Sequence, residues 1–209
     1  AKRLKKLIDS EKGMTAFLTR SDDSFPCPGK RINCSQRESL NERISRAKEG
    51  NAHLMVSIHA DAFSDPNIRG ATLYALPDSK KISKGSDYKV MYRPKSRVKV
   101  KLNKGVSDRS LSRLKPSQVD AYDQSIDIGN YILKEMRKDV RLRKLTSREA
   151  SFAVLKSTQI ASVLIETSYL SNKDDEAFLI NTKNQDKIAK AIVRGIKSYS
   201  LNIKKELSK

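Results

Sequence analysis

A short apolar run that ends in polar residues places the strongest constraint on the fold of this chain. Residues 53–61 read His-Leu-Met-Val-Ser-Ile-His-Ala-Asp. The apolar residues in this run are typical of a strand that crosses a buried sheet. The run ends at His59 and Asp61. Because open α/β sheets keep their ligand sites at the carboxyl ends of their strands, we expect a functional site there.

A second apolar run has the same arrangement later in the chain, where residues 163–165 are followed at once by Glu166. One imidazole and one carboxylate, each at the exit of a buried strand, indicate a metal ligand and a general base. That pair is used in metal-assisted hydrolysis. A satisfied core histidine is the alternative for His59, and a structural ion pair is the alternative for Glu166. Asp61 is a candidate partner that would orient the His59 ring.

Hydroxyl residues also lie near these positions. Ser57, Thr167 and Ser168 are candidate nucleophiles, but none of them sits in a Gly-x-Ser-x-Gly turn. Gly-rich phosphate-binding loops are absent as well. We therefore reject the serine-hydrolase interpretation.

Helical and strand patterns alternate along the chain. Apolar residues at three- and four-residue spacing predict helices, and short apolar runs predict strands. The predicted helices cover residues 1–8, 36–49, 121–140 and 185–199, with a further acidic helix start at 174–176. The predicted strands cover residues 16–19, 54–58, 71–76, 152–155 and 161–165.

Residues 77–120 differ in character from the rest of the chain. They are rich in Lys, Arg, Ser and Gly, have weak periodicity and contain no Glu. We interpret them as a basic, regulatory insertion on a compact core, with one short exposed strand at 98–102. The length of 209 residues suits a single domain that carries such an insertion.

The charge balance is strongly basic. Forty-three Lys and Arg against 24 Asp and Glu give a formal net charge of +19, which attracts polyanions such as nucleic acid. However, no nucleic-acid motif accompanies the charge, and without Trp a base-stacking platform is not evident. A nucleic-acid-binding protein is therefore a minor alternative. No stretch approaches the roughly 18 apolar residues that a membrane-spanning helix needs.

Both cysteines, Cys27 and Cys34, lie in one turn-rich loop. This spacing fits a local disulfide in an oxidising compartment, and it fits two unpaired thiols equally well. A zinc-binding pair is disfavoured because the sequence has no second Cys/His pair of suitable spacing.

Two motifs, 107 residues apart when counted from His59 to Glu166, resemble a known family. The stretch 56–63, Val-Ser-Ile-His-Ala-Asp-Ala-Phe, resembles the central motif of zinc-dependent N-acetylmuramoyl-L-alanine amidases of the Amidase_3 type. Residues 152–156 and 165–172 are similar to the family's C-terminal signature. Arg20 and Arg43 also fall where the family has a Thr-Arg strand end and an Arg-bearing helix. The resemblance covers most of the chain except the Cys loop and residues 77–120.

The resemblance implies an α/β fold and a hydrolytic activity. The fold would be a twisted, mostly parallel sheet flanked by helices on both faces, within a single domain. The reaction would cleave the amide between N-acetylmuramic acid and the L-alanine of the peptidoglycan stem. By motif, His59 would be a ligand of one Zn²⁺ ion and Glu166 would be the catalytic general base. The zinc would polarise the amide carbonyl and acidify a bound water, and Glu166 would move the proton.

The sequence also departs from the family pattern. The family's other two zinc ligands, a His in a Gly-His-Gly-Gly loop and a Glu that opens the first helix, are not present, and neither is the first strand of the sheet. We therefore expect residues 1–209 to be an amidase domain without its N-terminal strand and first metal ligands, inactive by itself. A non-catalytic module that binds cell wall or a partner protein is the alternative.

The position of the basic insertion resembles that of a regulatory segment in division-associated periplasmic amidases. In those enzymes a plug offers a Glu to the zinc, and this insertion has none. The resemblance implies a periplasmic or otherwise extracytoplasmic location. It further implies peptidoglycan as substrate and a LytM-type activator protein as partner.

Overall fold

A computed structural model describes residues 1–30, 33–75, 118–150, 152–155 and 160–208. Helices and strands alternate through these ranges, and two short 3₁₀ turns lie at Pro28–Lys30 and Ala153–Leu155. In chain order the elements are α1 (Lys2–Asp9), α2 (Gln36–Glu49), β1 (Leu54–Asp61), β2 (Thr72–Ala75), α3 (Gln118–Met136), β3 (Arg148–Glu149), β4 (Ala161–Tyr169), α4 (Lys173–Ile180) and α5 (Thr182–Leu207).

The four strands form one sheet in the order β1-β4-β2-β3. β4 pairs in parallel with β1, β3 pairs in parallel with β2, and β2 runs antiparallel to β4. All nine residues of β4 are buried, because this strand has a neighbour on each side and helices above and below. The predicted α/β fold with a mostly parallel sheet is confirmed.

Helices cover both faces of the sheet, as predicted. Alternate residues of β4 point to opposite faces. Val163 and Ile165 enter a core formed with α1, α3 and α5. Leu164 enters a second core formed with α2 and the 3₁₀ turn Ala153–Leu155. The second core matters for function because its face of the sheet also carries the candidate residues.

Most predicted elements occur close to their expected limits. α2 has the predicted bounds because Ser35 and Glu38 form a reciprocal capping box at its first turn. α3 and α5 each begin three residues earlier than predicted, at Gln118 and Thr182. The sequence alone did not decide whether the two cysteines are bridged. In the structure Cys27 and Cys34 form a disulfide.

The strand predicted at residues 16–19 is wrong. This segment is extended but irregular, because its backbone groups bond to side chains and not to a neighbouring strand. The N–H of Ala16 donates to Asp9 Oδ1 at 2.8 Å, and the carbonyl of Thr19 accepts from Arg46 Nη1 at 3.0 Å.

The strand predicted at residues 152–155 is also wrong, since Ala153–Leu155 form a 3₁₀ turn. Val154 and Leu155 are consecutive, and both are buried in the second core. A strand would send two consecutive side chains to opposite faces, whereas a tight turn directs both inward.

The predicted basic insertion at 77–120, with its strand at 98–102, lies outside the described residues apart from 118–120, which open α3. Within the described ranges, no helix is long and apolar enough to cross a membrane.

Candidate active site

The sheet brings the two candidate residues together. In the parallel register of β1 and β4, His59 is the direct partner of Glu166. On the other side of β4, Thr72 is the direct partner of Glu166. Direct partners in a sheet point to the same face, so an imidazole, a carboxyl and a hydroxyl lie side by side near the carboxyl ends of β1 and β4.

His59 is half-buried and makes a local hydrogen bond. Its Nε2 lies 2.8 Å from the Oγ of Ser57, two residues earlier on the same face of β1. Burial lowers the pKa of the His59 imidazole, and the guanidinium groups of Arg43 and Arg20 lower that pKa as well, against the opposing effect of the Asp61 carboxylate. At neutral pH the ring is therefore uncharged, which is the form that binds metals.

Asp61 does not orient the His59 ring, contrary to the sequence-based expectation. Its Oδ1 accepts a hydrogen bond from the N–H of the next residue, Ala62, at 2.8 Å. Asp61 is exposed, and the register between β1 and β4 shifts between His59 and Asp61. Ser57 is the residue that contacts the ring, and the i, i+2 spacing to His59 is the signal that would have identified it.

Glu166 is buried, with 6% of its surface exposed. Its Oε2 has no hydrogen-bond partner among the described residues. Burial raises the pKa of the Glu166 carboxyl to about 7, and the Asp61 carboxylate raises that pKa further, while a hydrogen bond from the Asp61 backbone opposes the shift. A carboxyl with this pKa can both accept and release a proton near neutral pH, as a general acid or base must.

A bulge in β4 adds a tyrosine to the same site. The register advances by two residues in β1, from His59 to Asp61, but by three in β4, from Glu166 to Tyr169. The extra residue turns Tyr169 to the face that carries Glu166. Its hydroxyl lies 3.5 Å from Thr72 Oγ1. Sequence reasoning missed Tyr169, because regular alternation along β4 would place it on the opposite face.

Aromatic rings and one cation form a wall at this end of the sheet. The Arg143 guanidinium lies 5.7 Å from the ring centroids of both Phe63 and Tyr169. The phenol of Tyr74 lies beside Tyr169, and burial together with this neighbour raises the pKa of Tyr74 to about 12. Tyr169 is buried and contacts Phe63 edge to face, with their ring centroids 6.3 Å apart, so Phe63, which is 47% exposed, is the most accessible ring of this wall.

Asp175, at the start of α4, holds the strand ends in place. Its buried Oδ2 accepts hydrogen bonds from the N–H of Gly70 at 2.8 Å and of Tyr169 at 3.0 Å. Gly70 precedes β2 and Tyr169 ends β4, so this carboxylate joins β4, which carries Glu166, to the start of its neighbour β2. The sequence showed Asp175 only as part of an acidic helix start, and nothing in that pattern indicated a buried role.

His59 and Glu166 do not by themselves complete a zinc site, because catalytic zinc usually has three protein ligands. Among the residues that the structure describes, no three His, Cys, Asp or Glu side chains are grouped so that they could hold a metal ion. An uncharged imidazole beside an unpartnered carboxyl oxygen supplies only part of the donor set. The described residues therefore do not by themselves form a catalytic zinc site.

Comparisons of the sequence and of the structure with known proteins agree on one family. The sequence profile described as N-acetylmuramoyl-L-alanine amidase (Amidase_3) matches residues 1–198. The chain is 34% identical over 191 residues to the N-acetylmuramoyl-L-alanine amidase AmiA of Salmonella typhimurium, covering 90% of this chain and 61% of that protein. It is 31% identical over 201 residues to AmiC of Escherichia coli, covering 95% of this chain and 45% of that protein. The chain thus spans less than two thirds of the length of these relatives.

Solved structures have the same fold. The CwlD amidase of Clostridioides difficile, determined in complex with the GerS lipoprotein, superimposes with a TM-score of 0.64 at 26% identity, covering 96% of this chain and 82% of that one. The catalytic domain of CwlV, an N-acetylmuramoyl-L-alanine amidase from Bacillus (Paenibacillus) polymyxa, superimposes with a TM-score of 0.60 at 21% identity, covering 94% and 78%.

Proposed function

The chain belongs to the Amidase_3 family of N-acetylmuramoyl-L-alanine amidases, and on this premise we propose that it cleaves peptidoglycan. The bond cleaved is the amide between N-acetylmuramic acid and the L-alanine of the stem peptide. The observation that carries the proposal is the buried carboxyl of Glu166, which lies beside His59 with one oxygen unpartnered among the described residues. A second, non-catalytic function is considered below.

Glu166 acts as the general base. Its carboxylate takes a proton from the water that attacks the amide carbonyl, and the same proton then passes to the nitrogen of the departing L-alanine as the C–N bond breaks. The raised pKa of Glu166 supports this role, because a group that titrates near pH 7 can perform both transfers. A group placed in this way typically contributes a factor of about 10² to 10⁴ to the rate.

His59 is a ligand of the single zinc ion on which the family generally depends. Its lowered pKa supports this assignment, since only the uncharged imidazole coordinates a metal. The test is the zinc content of the full gene product, in which His59→Ala loses the metal and Glu166→Ala keeps it. Stoichiometric zinc in the His59→Ala variant would contradict the assignment.

Mass spectrometry of digested peptidoglycan tests the activity. The expected result is release of intact stem peptides that carry a free L-alanine amine. A chelator should abolish this release, zinc should restore it, and Glu166→Ala should lose it nearly completely. Undiminished turnover by Glu166→Ala would contradict the proposed base.

A non-catalytic module that binds cell wall or a partner protein is the second candidate. The incomplete donor set around His59 in the described residues favours it. The digestion experiment separates the two functions. A folded full gene product that binds peptidoglycan, contains no zinc and releases no peptide would establish the module and exclude the enzyme.

The protein acts outside the cytoplasm, in a periplasm, during cell-wall remodelling or daughter-cell separation. The Cys27–Cys34 disulfide supports this location, because disulfides persist in oxidising compartments. The segment 77–120 regulates access to the site, and a LytM-type protein activates the enzyme. The complex of CwlD with the GerS lipoprotein supports the existence of a protein partner, because it shows that a relative binds one.

A further inference from the structure

One face of α2 carries two buried polar atoms without a hydrogen-bond partner among the described residues. They are the Oγ of Ser39 and the Nε of Arg43. The two residues are four positions apart, so they lie one above the other on the helix. Ser39 is 1% exposed. A buried hydroxyl and a buried guanidinium N–H without protein partners are costly, so an ordered water or a ligand is expected to satisfy them.

The segment before the disulfide loop adds a second arginine to this face. Arg46 Nη1 donates to the carbonyl of Thr19, and the ring of Phe17 packs against Gly50 at the end of α2. The segment therefore runs antiparallel to the helix, with residue 17 beside 50 and residue 19 beside 46. Continuing this path places Arg20 beside Arg43, one helical turn further on.

The two arginines lie next to the candidate active site. α2 packs on the sheet through Ala47, which shares the second core with Met55 of β1. α2 and β1 run in opposite directions, so residues that precede Ala47 in the helix lie beside residues that follow Met55 in the strand. Arg43, one helical turn before Ala47, is therefore displaced toward His59.

Burial lowers the pKa of the Arg43 guanidinium, and the charge of Arg20 lowers that pKa further, which agrees with two guanidinium groups lying close together. Neither arginine forms an ion pair with a described residue. Arg20 Nη1 donates to the carbonyl of Asp23 at 3.4 Å, and the Asp22 carboxylate is close enough to interact with Arg20. No described carboxylate contacts Arg43.

We propose that Arg20 and Arg43 form a subsite for a carboxylate group of the stem peptide. This inference rests on the proposed function, which supplies a substrate rich in carboxylates. Guanidinium groups bind carboxylates through paired, charge-assisted hydrogen bonds, and the partly buried position beside the helix strengthens them. The subsite anchors the peptide side of the substrate while the scissile amide lies at Glu166.

Binding of two synthetic muramyl peptides to the 209-residue chain tests the subsite without requiring catalysis. One N-acetylmuramoyl peptide has its stem carboxylates free, and the other has them converted to amides. Isothermal titration should give a Kd for the free acid that is lower by roughly 10- to 100-fold, the range expected for hydrogen bonds to charged groups. Arg43→Gln and Arg20→Gln should each remove most of this preference.

Arg37→Gln is the matched control. Arg37 is an exposed residue of the same helix, and its substitution removes the same charge as Arg43→Gln. It should keep the preference for the free acid, and Arg43→Lys should keep only part of it. Equal binding of the two peptides, no binding of either, or equal effects of Arg43→Gln and Arg37→Gln would overturn the subsite. The peptidoglycan digestion experiment tests the amidase activity separately. A failure of the arginine subsite can therefore be distinguished from a failure of the proposed amidase function.

Discussion

Protonation of Glu166 links the candidate site to the stability of the fold. The pKa of this carboxyl is about 7 in the folded chain, above its ordinary value of 4.5. Between these two values the folded state binds more protons than the unfolded state. Stability therefore falls as pH rises through this window, because the buried group must ionise. Burial makes ionisation of the Glu166 carboxyl unfavourable. The same burial raises its pKa into the range that suits a general base near neutral pH.

The Glu166→Gln variant should remove this pH dependence. The amide has nearly the same shape but does not titrate, so the wild type should lose roughly 3 kcal/mol more than the variant between pH 4.5 and 8. Urea unfolding of both proteins across this range, in a chelator to keep them metal-free, measures the difference. Parallel stability curves for the two proteins would contradict the raised pKa of Glu166.

Asp175 is expected to be more important for stability than its neighbour Asp174. The buried Asp175 carboxylate accepts two backbone hydrogen bonds, whereas Asp174 forms an ion pair with Arg69 while its side chain is 67% exposed. Asp175→Ala should lower the free energy of unfolding by about 2 to 3 kcal/mol, and Asp174→Ala by less than about 1 kcal/mol. Denaturant unfolding compares them, and equal losses would refute the strand-joining role.

The residues of the site were predictable to different degrees. His59 and Glu166 were predicted as candidates because polar residues that directly follow apolar runs can be recognised in the sequence, and the structure places the two side by side. Tyr169 and Asp175 depend on a register shift and on the packing of α4 against the strand ends. Neither a bulge nor a long-range contact has a signature in local periodicity, so these two residues required the structure.

The same reasoning applies to whole elements. α2 was predicted to the residue from the spacing of its apolar side chains, and the structure shows that a capping box of Ser35 and Glu38 sets its first turn. The strand predicted at residues 16–19 was wrong because a strand needs a neighbouring strand to pair with. The sequence of the segment itself does not show whether such a neighbour exists. The turn at 153–155 was wrong because apolar runs of this length fit strands and buried turns alike, and only the second core decides between them.

The contact between α3 and α5 depends on a glycine. A Cβ added to Gly195 would lie 2.5 Å from the Cα of Ile132, so the helix backbones are too close for any side chain. Gly195→Ala gains about 1 kcal/mol of helix propensity, but overpacking against a rigid backbone costs about 1 to 3 kcal/mol or more. The clash should prevail, and thermal unfolding should show a lower Tm.

Lys190→Ala is the control for this change because Lys190 lies on the same helix and is exposed. Its stability should stay within about 0.5 kcal/mol of the wild type. A Gly195→Ala protein as stable as Lys190→Ala would show that α3 and α5 can separate without cost, and the packing of the first core would need revision.

At the scale of the whole molecule, the net charge of +19 is unevenly distributed along the sequence. Residues 77–117 contain 13 Lys and Arg against 3 Asp, a net charge of +10, so the other 168 residues contribute +9. A charge of this size attracts any polyanion, whether or not a specific site exists. Binding to nucleic acid at low salt is therefore no evidence of function, and the dependence on salt is the informative quantity.

Diffuse attraction and the arginine subsite should respond differently to salt. Binding to duplex DNA should be independent of sequence and fall by about 10³-fold or more between 50 and 200 mM salt, because many condensed counterions are released. Binding of the free-acid muramyl peptide involves one localised contact and should weaken far less over the same range. Fluorescence anisotropy with both labelled ligands measures the two slopes. A nucleic-acid affinity that persists at 200 mM salt and depends on sequence would instead favour a nucleic-acid-binding protein, and similar slopes for the two ligands would mean that the peptide is held only by diffuse charge.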